Sequence, residues 1–151
     1  ANTLVGMLGN GDNAAGQEAV NTYCKNNGYT DTSMGRMLLE KASANENYTS
    51  ARDCSVFLKN IYENKLEHSE DMLNLLKQQT RTEKIPKGIP SGVETANKTG
   101  ELDHVENDAA IVFDGENPYI ICVMADNLSD TTEARQRIVD ISSVVYENIS
   151  K

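Results

Sequence analysis

The stretch Val93-Glu94-Thr95-Ala96-Asn97-Lys98-Thr99-Gly100-Glu101-Leu102 decides how the rest of the chain is read. Residues 93–98 are a strand-sized run, set off upstream by the turn-rich Lys87-Gly88-Ile89-Pro90-Ser91-Gly92. The run ends in a Lys-Thr-Gly triplet. After a short turn comes Asn107-Asp108-Ala109-Ala110-Ile111-Val112, and the apolar residues 109–113 predict a second strand. Gly115-Glu116-Asn117-Pro118 then reads as a hairpin loop into a third strand over 119–125. Chain order and short connections predict an antiparallel meander. Asp130 or Thr131 caps a last helix reaching about Ile149. Its face Ala134, Ile138, Ile141, Val145 and Ile149 suits it to cover one side of the sheet.

Upstream of this sheet the chain reads as helices and loops, so the predicted class is α+β. A short helical piece over 2–8 is broken at Gly9-Asn10-Gly11. A helix over 14–26 carries Ala15, Ala19, Val20 and Tyr23 on one face and stops at Gly28, which tolerates a left-handed backbone. Residues 29–48 are polar and irregular, with one apolar knot of Met34, Met37, Leu38 and Leu39. Ser50-Ala51-Arg52-Asp53 resembles a capping box, and Cys54, Phe57, Leu58 and Ile61 follow at helical spacing. Ser69 caps the next helix, whose apolar residues are Met72, Leu73, Leu75 and Leu76. The division this suggests is a helical part, 1–90, and a sheet portion with its covering helix, 91–151. Because Leu4, Val5, Met7 and Leu8 already stand at helical spacing, residue 1 is expected to cut through a helix. The chain is then a piece of something longer.

Composition excludes several classes. The chain has 151 residues with 14 Lys and Arg against 23 Asp and Glu, a net charge of -9. Phosphate affinity comes from clustered basic residues, so no nucleic-acid partner is expected. No apolar run approaches the ~18 residues that span a bilayer. Cys24, Cys54 and Cys122 are too scattered for a disulfide framework and sit among apolar neighbours, as buried free thiols do. His68 and His104 lack the spacing of metal ligands, so no metal site is expected, and no cofactor is implied.

A Lys-Thr-Gly triplet alone is a weak signal. Borne on a strand and followed by a hairpin to a last strand, it resembles the third motif of the penicillin-recognising serine enzymes, class A β-lactamases and penicillin-binding proteins. Other segments extend the resemblance. Asn27-Gly28-Tyr29-Thr30-Asp31-Thr32-Ser33-Met34-Gly35-Arg36 looks like the entry to that family's omega loop, and Asn47-Tyr48-Thr49-Ser50-Ala51 like the start of the following helix. Lys84-Ile85-Pro86, Gly88-Ile89-Pro90 and Gly92-Val93 look like the lead into the triplet strand. The whole is similar to the carboxy-terminal half of a class A β-lactamase-like serine hydrolase.

The resemblance implies roles. Lys98 places positive charge near a substrate carboxylate and the proton-transfer network. The Thr99 hydroxyl donates to that carboxylate. Gly100, without a Cβ, lets substrate lie against the strand. The backbone N–H of Glu101 forms half of an oxyanion hole. The implied ligand is a β-lactam or a peptidoglycan stem peptide. The family's Ser-x-x-Lys nucleophile and Ser-Asp-Asn motif are absent from this sequence. They are expected in a missing amino-terminal half, which leaves this chain inactive alone.

For water activation the resemblance implies a Glu in the omega loop, and the candidate bases are Glu40 and Glu46; neither precedes the usual Pro-x-Leu-Asn. Asn107 stands about where many class A enzymes carry an Arg for the carboxylate. The alternatives are therefore a penicillin-binding-protein-like D-Ala-D-Ala peptidase or a non-catalytic binding protein of the same fold. The resemblance further implies a bacterial parent exported to the periplasm or beyond. A sheet lacking its first strands is expected to self-associate or to pair with the other half.

Overall fold

A computed structural model of the protein describes residues 1–41 and 45–149. The chain divides into two compact units, Ala1–Asp53 and Cys54–Lys151.

In the first unit, α1 (Asn2–Leu8) and α2 (Asn13–Asn26) are joined by a turn. Asp12 caps α2, its Oδ1 accepting from the N–H groups of Ala14 at 2.9 Å and Ala15 at 3.3 Å. The buried side of α2 runs through Gly16 and Cys24, with Val20 half-buried, and not through Ala15, Ala19 and Tyr23, which are exposed. The reason is Gly16. A Cβ there would stand 2.0 Å from the Val5 carbonyl oxygen, so α1 packs on α2 backbone to backbone and turns that line inward. An antiparallel bridge joins Ser33 to Tyr48. Met37 alone of the predicted knot is buried; Leu39 is 98% exposed. At the start of α3 (Ala51–Tyr62) the Ser50 hydroxyl accepts the Asp53 N–H at 3.1 Å. The buried Asp53 carboxylate does not complete the capping box. It accepts instead from Asp31 N–H at 2.8 Å and the Thr32 hydroxyl at 2.9 Å.

The second unit is built on three strands in the order β1-β2-β3, all antiparallel: β1 (Glu94–Leu102), β2 (Val105–Phe113) and β3 (Tyr119–Ala125). With α4 (Ser69–Lys77) and α5 (Thr131–Ile149), this is the α+β meander and covering helix that the pattern predicts. Side chains alternate across the sheet. One face buries Ala96, Ala109 and Ile111 with Leu58 and Ile61 of α3, backed by Leu73 and Leu76 of α4. The other buries Ala110, Val112 and Ile121 with Ile138 of α5 and with Ile85 and Ile89.

Three expectations change. The first two strands are longer than 93–98 and 109–113, because the ladder continues through Thr99↔Asp108, Gly100↔Asn107 and Glu101↔Glu106 to Leu102↔Val105. The triplet thus lies inside β1. The expected linker is core: a 3-10 turn, Ile85–Gly88, buries Ile85 completely, and a Cβ on Gly88 would stand 2.4 Å from the Val139 carbonyl of α5. On α5 the inward row is Ala134, Ile138 and Ser142, with Ile141 44% exposed. The Ser142 hydroxyl faces in because it donates to the Ile85 carbonyl at 2.8 Å.

Candidate active site at the free edge of the sheet

Among the described residues β1 has a strand neighbour on one side only, so alternate N–H and C=O groups of its outer edge face away from the sheet. Lys98, Thr99, Gly100 and Glu101 follow one another along this edge. Lys98 is exposed, on the α3 and α4 face with Ala96 and Gly100, and its ammonium donates to the Thr99 carbonyl at 2.6 Å. Thr99, 8% exposed, turns to the other face beside Asn97 and opposite Asp108. Gly100 is not demanded by the chain's own packing. A Cβ there would meet only Asn107 atoms at 3.6 and 3.7 Å, ordinary contact, and the fold would accept alanine.

Behind Gly100 and Glu101 lies a charged cluster that the sequence reading did not single out. Lys84, whose side chain is 2% exposed, ion-pairs with Glu106 at 2.6 Å and Glu101 at 3.2 Å. It also donates to the carbonyls of Asn107 at 3.0 Å and Gly100 at 3.4 Å. Arg135 of α5 joins Glu106 at 2.7 Å, and Arg81 joins Glu101 at 2.9 Å. A single ammonium can touch both carbonyls only if both face the space between β1 and β2. The peptide unit is planar and trans, so the Glu101 N–H, which shares it with the Gly100 carbonyl, points the opposite way, to the free edge. The missed signal was there to read: Glu106 and Asp108 stand at period 2 with the apolar Ala110 and Val112 of the same strand, on the row that faces inward.

The carboxylates differ. Burial raises the Glu106 pKa, but hydrogen bonds from Arg135 and Lys84 outweigh it and hold the group below the usual range. Asp108 is held above its usual range by burial, despite accepting from Asn97 Nδ2 and Ile85 N–H, both at 3.0 Å. Burial also pushes the Cys24 thiol up, and the Cys122 thiol to about 12, with Cys54 and Asp108 adding to the latter. Neither offers a ready thiolate.

Glu40 belongs to the first unit. Its carboxylate accepts the Met37 N–H at 3.0 Å, within its own turn, and its carbonyl accepts from Arg36 at 2.7 Å. Glu46 pairs with Arg36 at 2.7 Å. Asn107 lies opposite Gly100, and its Oδ1 accepts the Ala125 N–H at 3.1 Å. His104, in the turn between β1 and β2, is tied to the Leu128 carbonyl at 2.6 Å. Among the described residues no helix is long and apolar enough to cross a membrane.

Residues 2–149 match the sequence model described as the beta-lactamase enzyme family. No curated protein matches the sequence. Among solved structures, a beta-lactamase from Sphaerobacter thermophilus DSM 20745 is similar at a TM-score of 0.81 and 24% identity, over 90% of this chain and 54% of that one. PBP-A is similar at 0.79 and 24% identity, over 91% and 52%. An ancestral class A beta-lactamase (GNCA) is similar at 0.77 and 19% identity, over 87% and 55%. These likenesses are of fold. The chain spans about half the length of those structures.

Proposed function

Because the chain belongs to the beta-lactamase enzyme family, we propose that its protein is a class A-like serine hydrolase that opens β-lactam amide bonds through an acyl-enzyme. The chain supplies the carboxylate anchor and half of the oxyanion hole. One observation carries this reading: a free strand edge bears Lys98-Thr99-Gly100, with a glycine the fold itself does not need.

Substrate lies along the edge, between the two faces that Lys98 and Thr99 take. Lys98 gives charge to the substrate carboxylate and Thr99 a hydroxyl. Gly100 leaves room, and the Glu101 N–H meets the oxygen on which negative charge develops. The nucleophilic Ser, with its Lys, comes from a part of the protein outside this chain. Glu40, held in place by the Met37 N–H, is the candidate base for the deacylating water. Among the described residues the outer edge of β3 is also without a strand neighbour, and it pairs with the rest of the protein or with a second copy. Light scattering of the chain on its own tests this, and a stable monomer at high concentration refutes it. The family likeness supports an exported bacterial enzyme.

The experiment is labelling of the full-length protein with a fluorescent penicillin, followed by mass spectrometry. A penicilloyl adduct is expected, as are slow labelling in Lys98→Ala and in Gly100→Ala, the latter with unchanged stability. The 151-residue chain alone should form no adduct. A folded full-length protein that takes no label sinks the reading.

A second reading is a D-Ala-D-Ala peptidase of the penicillin-binding type, favoured by the fold likeness to PBP-A and by a Glu40 that is not followed by Pro-x-Leu-Asn. The lifetime of the adduct separates the two. Rapid loss means a β-lactamase and persistence a peptidase. A non-catalytic binding protein of the same fold takes no label but still binds the ligand.

A further inference from the structure

We propose that Lys84 is a positioning residue for acyl transfer: its buried ammonium holds and polarises the Gly100–Glu101 peptide unit from behind, so that the Glu101 N–H is a stronger donor on the free edge. The inference rests on the assignment of that N–H to the oxyanion hole.

Three features of the cluster carry it. The Gly100 carbonyl and the Glu101 N–H are two ends of one planar dipole. Lys84 sits at the oxygen end, 3.4 Å from Gly100 O and 3.0 Å from Asn107 O. A cation there draws electron density toward the oxygen and leaves the N–H more positive, and hydrogen bonds in series strengthen each other in this way. The second feature is burial. At 2% exposure Lys84 is screened little by solvent, so its field reaches the peptide at a low effective dielectric. The third is economy of role. A buried ion pair stabilises a fold no better than apolar side chains of the same size. Lys84 with Glu106, 1% exposed, is therefore not needed to fill this space. What apolar side chains cannot do is present a fixed cation to two carbonyls. Glu106 and Arg135 keep that cation in place.

The group acts through the backbone and touches no substrate, so its removal must change the chemical step more than binding. The test uses the full-length protein and the double variant Lys84→Met/Glu106→Leu, which removes both charges together and so leaves neither buried alone. The measurements are non-covalent penicillin affinity, the acylation rate constant, and the infrared stretch of the acyl carbonyl.

Expected are an affinity within a few-fold of wild type, acylation slower by roughly tenfold or more, and a carbonyl stretch moved to higher frequency. That shift reports a weaker donor and would not follow from a purely structural role. Wild-type acylation rate and wild-type carbonyl frequency in the double variant overturn the inference while leaving the proposed function standing. A double variant that does not fold also overturns it, since the pair is then structural. An unlabelled wild-type protein removes the proposed function and this inference with it.

Discussion

The two faces of the same three strands are held by different means. Toward α3 and α4 the sheet buries Ala96, Ala109 and Ile111 against Leu58 and Ile61, and the buried contact is apolar, with Lys77 pairing Glu94 at 2.6 Å only at its rim. Toward α5 an apolar cluster around Ile85 and Ile138 covers the middle of the sheet, but its end carries Asn97, Glu106, Asp108 and Lys84, all 2% exposed or less. The difference is instructive because the exposed Lys98 and the half-buried Gly100 belong to the first face, whereas the groups fixing the backbone between them and β2 belong to the second. Apolar packing holds a strand in its layer. It has no direction, and it does not decide where a single carbonyl points. The ions do.

Removing one partner of the buried pair should have the largest effect. Lys84→Met leaves Glu106 with Arg135 alone and should destabilise the chain by about 3–5 kcal/mol. Urea unfolding measures it, with Lys84→Met/Glu106→Leu recovering most of the loss. A single variant within 1 kcal/mol of wild type would show that the polar end is no more directional than the apolar face.

On the opposite face, Leu58→Ala deletes buried methyls without stranding a charge. It should destabilise by about 2–4 kcal/mol, and no second substitution at a neighbouring charge should repair it. Calorimetry of Leu58→Ala in the wild-type and double-variant backgrounds checks that the two faces add independently.

A smaller effect comes from pH. The folded-state pKa of Glu106 is lowered, so its contribution to stability is present above the ordinary carboxylate range and lost as pH falls through the lowered value. Asp108 has the opposite sign. Its folded-state pKa is raised, so the native state favours the proton, and stability declines as pH rises from the unfolded value through the raised one. Carboxyl NMR titration should place the two on opposite sides of the ordinary value of ~4. Finding both on the same side would break the distinction between a paired and a merely hydrogen-bonded carboxylate.

The smallest effect is expected at Tyr119. Among the described residues its buried hydroxyl has no hydrogen-bond partner, and burial, with Asp114 and Tyr146 adding, pushes its pKa up to about 12. Tyr119→Phe should be neutral or stabilising by up to ~1 kcal/mol in thermal unfolding. A clear loss of stability would show that the hydroxyl has a role.

Much of this was legible locally. The meander, the helix over 131–149 and the early helix breaks follow from periods of 2 and 3.6 and from Gly, Pro and Ser positions, which neighbouring residues alone express. The Lys-Thr-Gly triplet was legible for the same reason. It is contiguous.

The chain's order of amino acids by itself determined the α+β class, the antiparallel meander and the identity of the edge residues Lys98, Thr99 and Gly100. Only tertiary structure decided that β1 continues past the triplet, that Ile85 and Ile89 are core, and that Ser142 rather than Ile141 faces inward. It alone joined Lys84 to residues far along the chain, Glu106 and the Asn107 carbonyl, with Arg135 arriving from α5. The physical reason is that a charged residue in a sequence carries no mark of burial. Lys84 beside Glu83 and Lys87 looks like a solvated surface group, and its partners become visible only when strand register and helix docking bring them within reach.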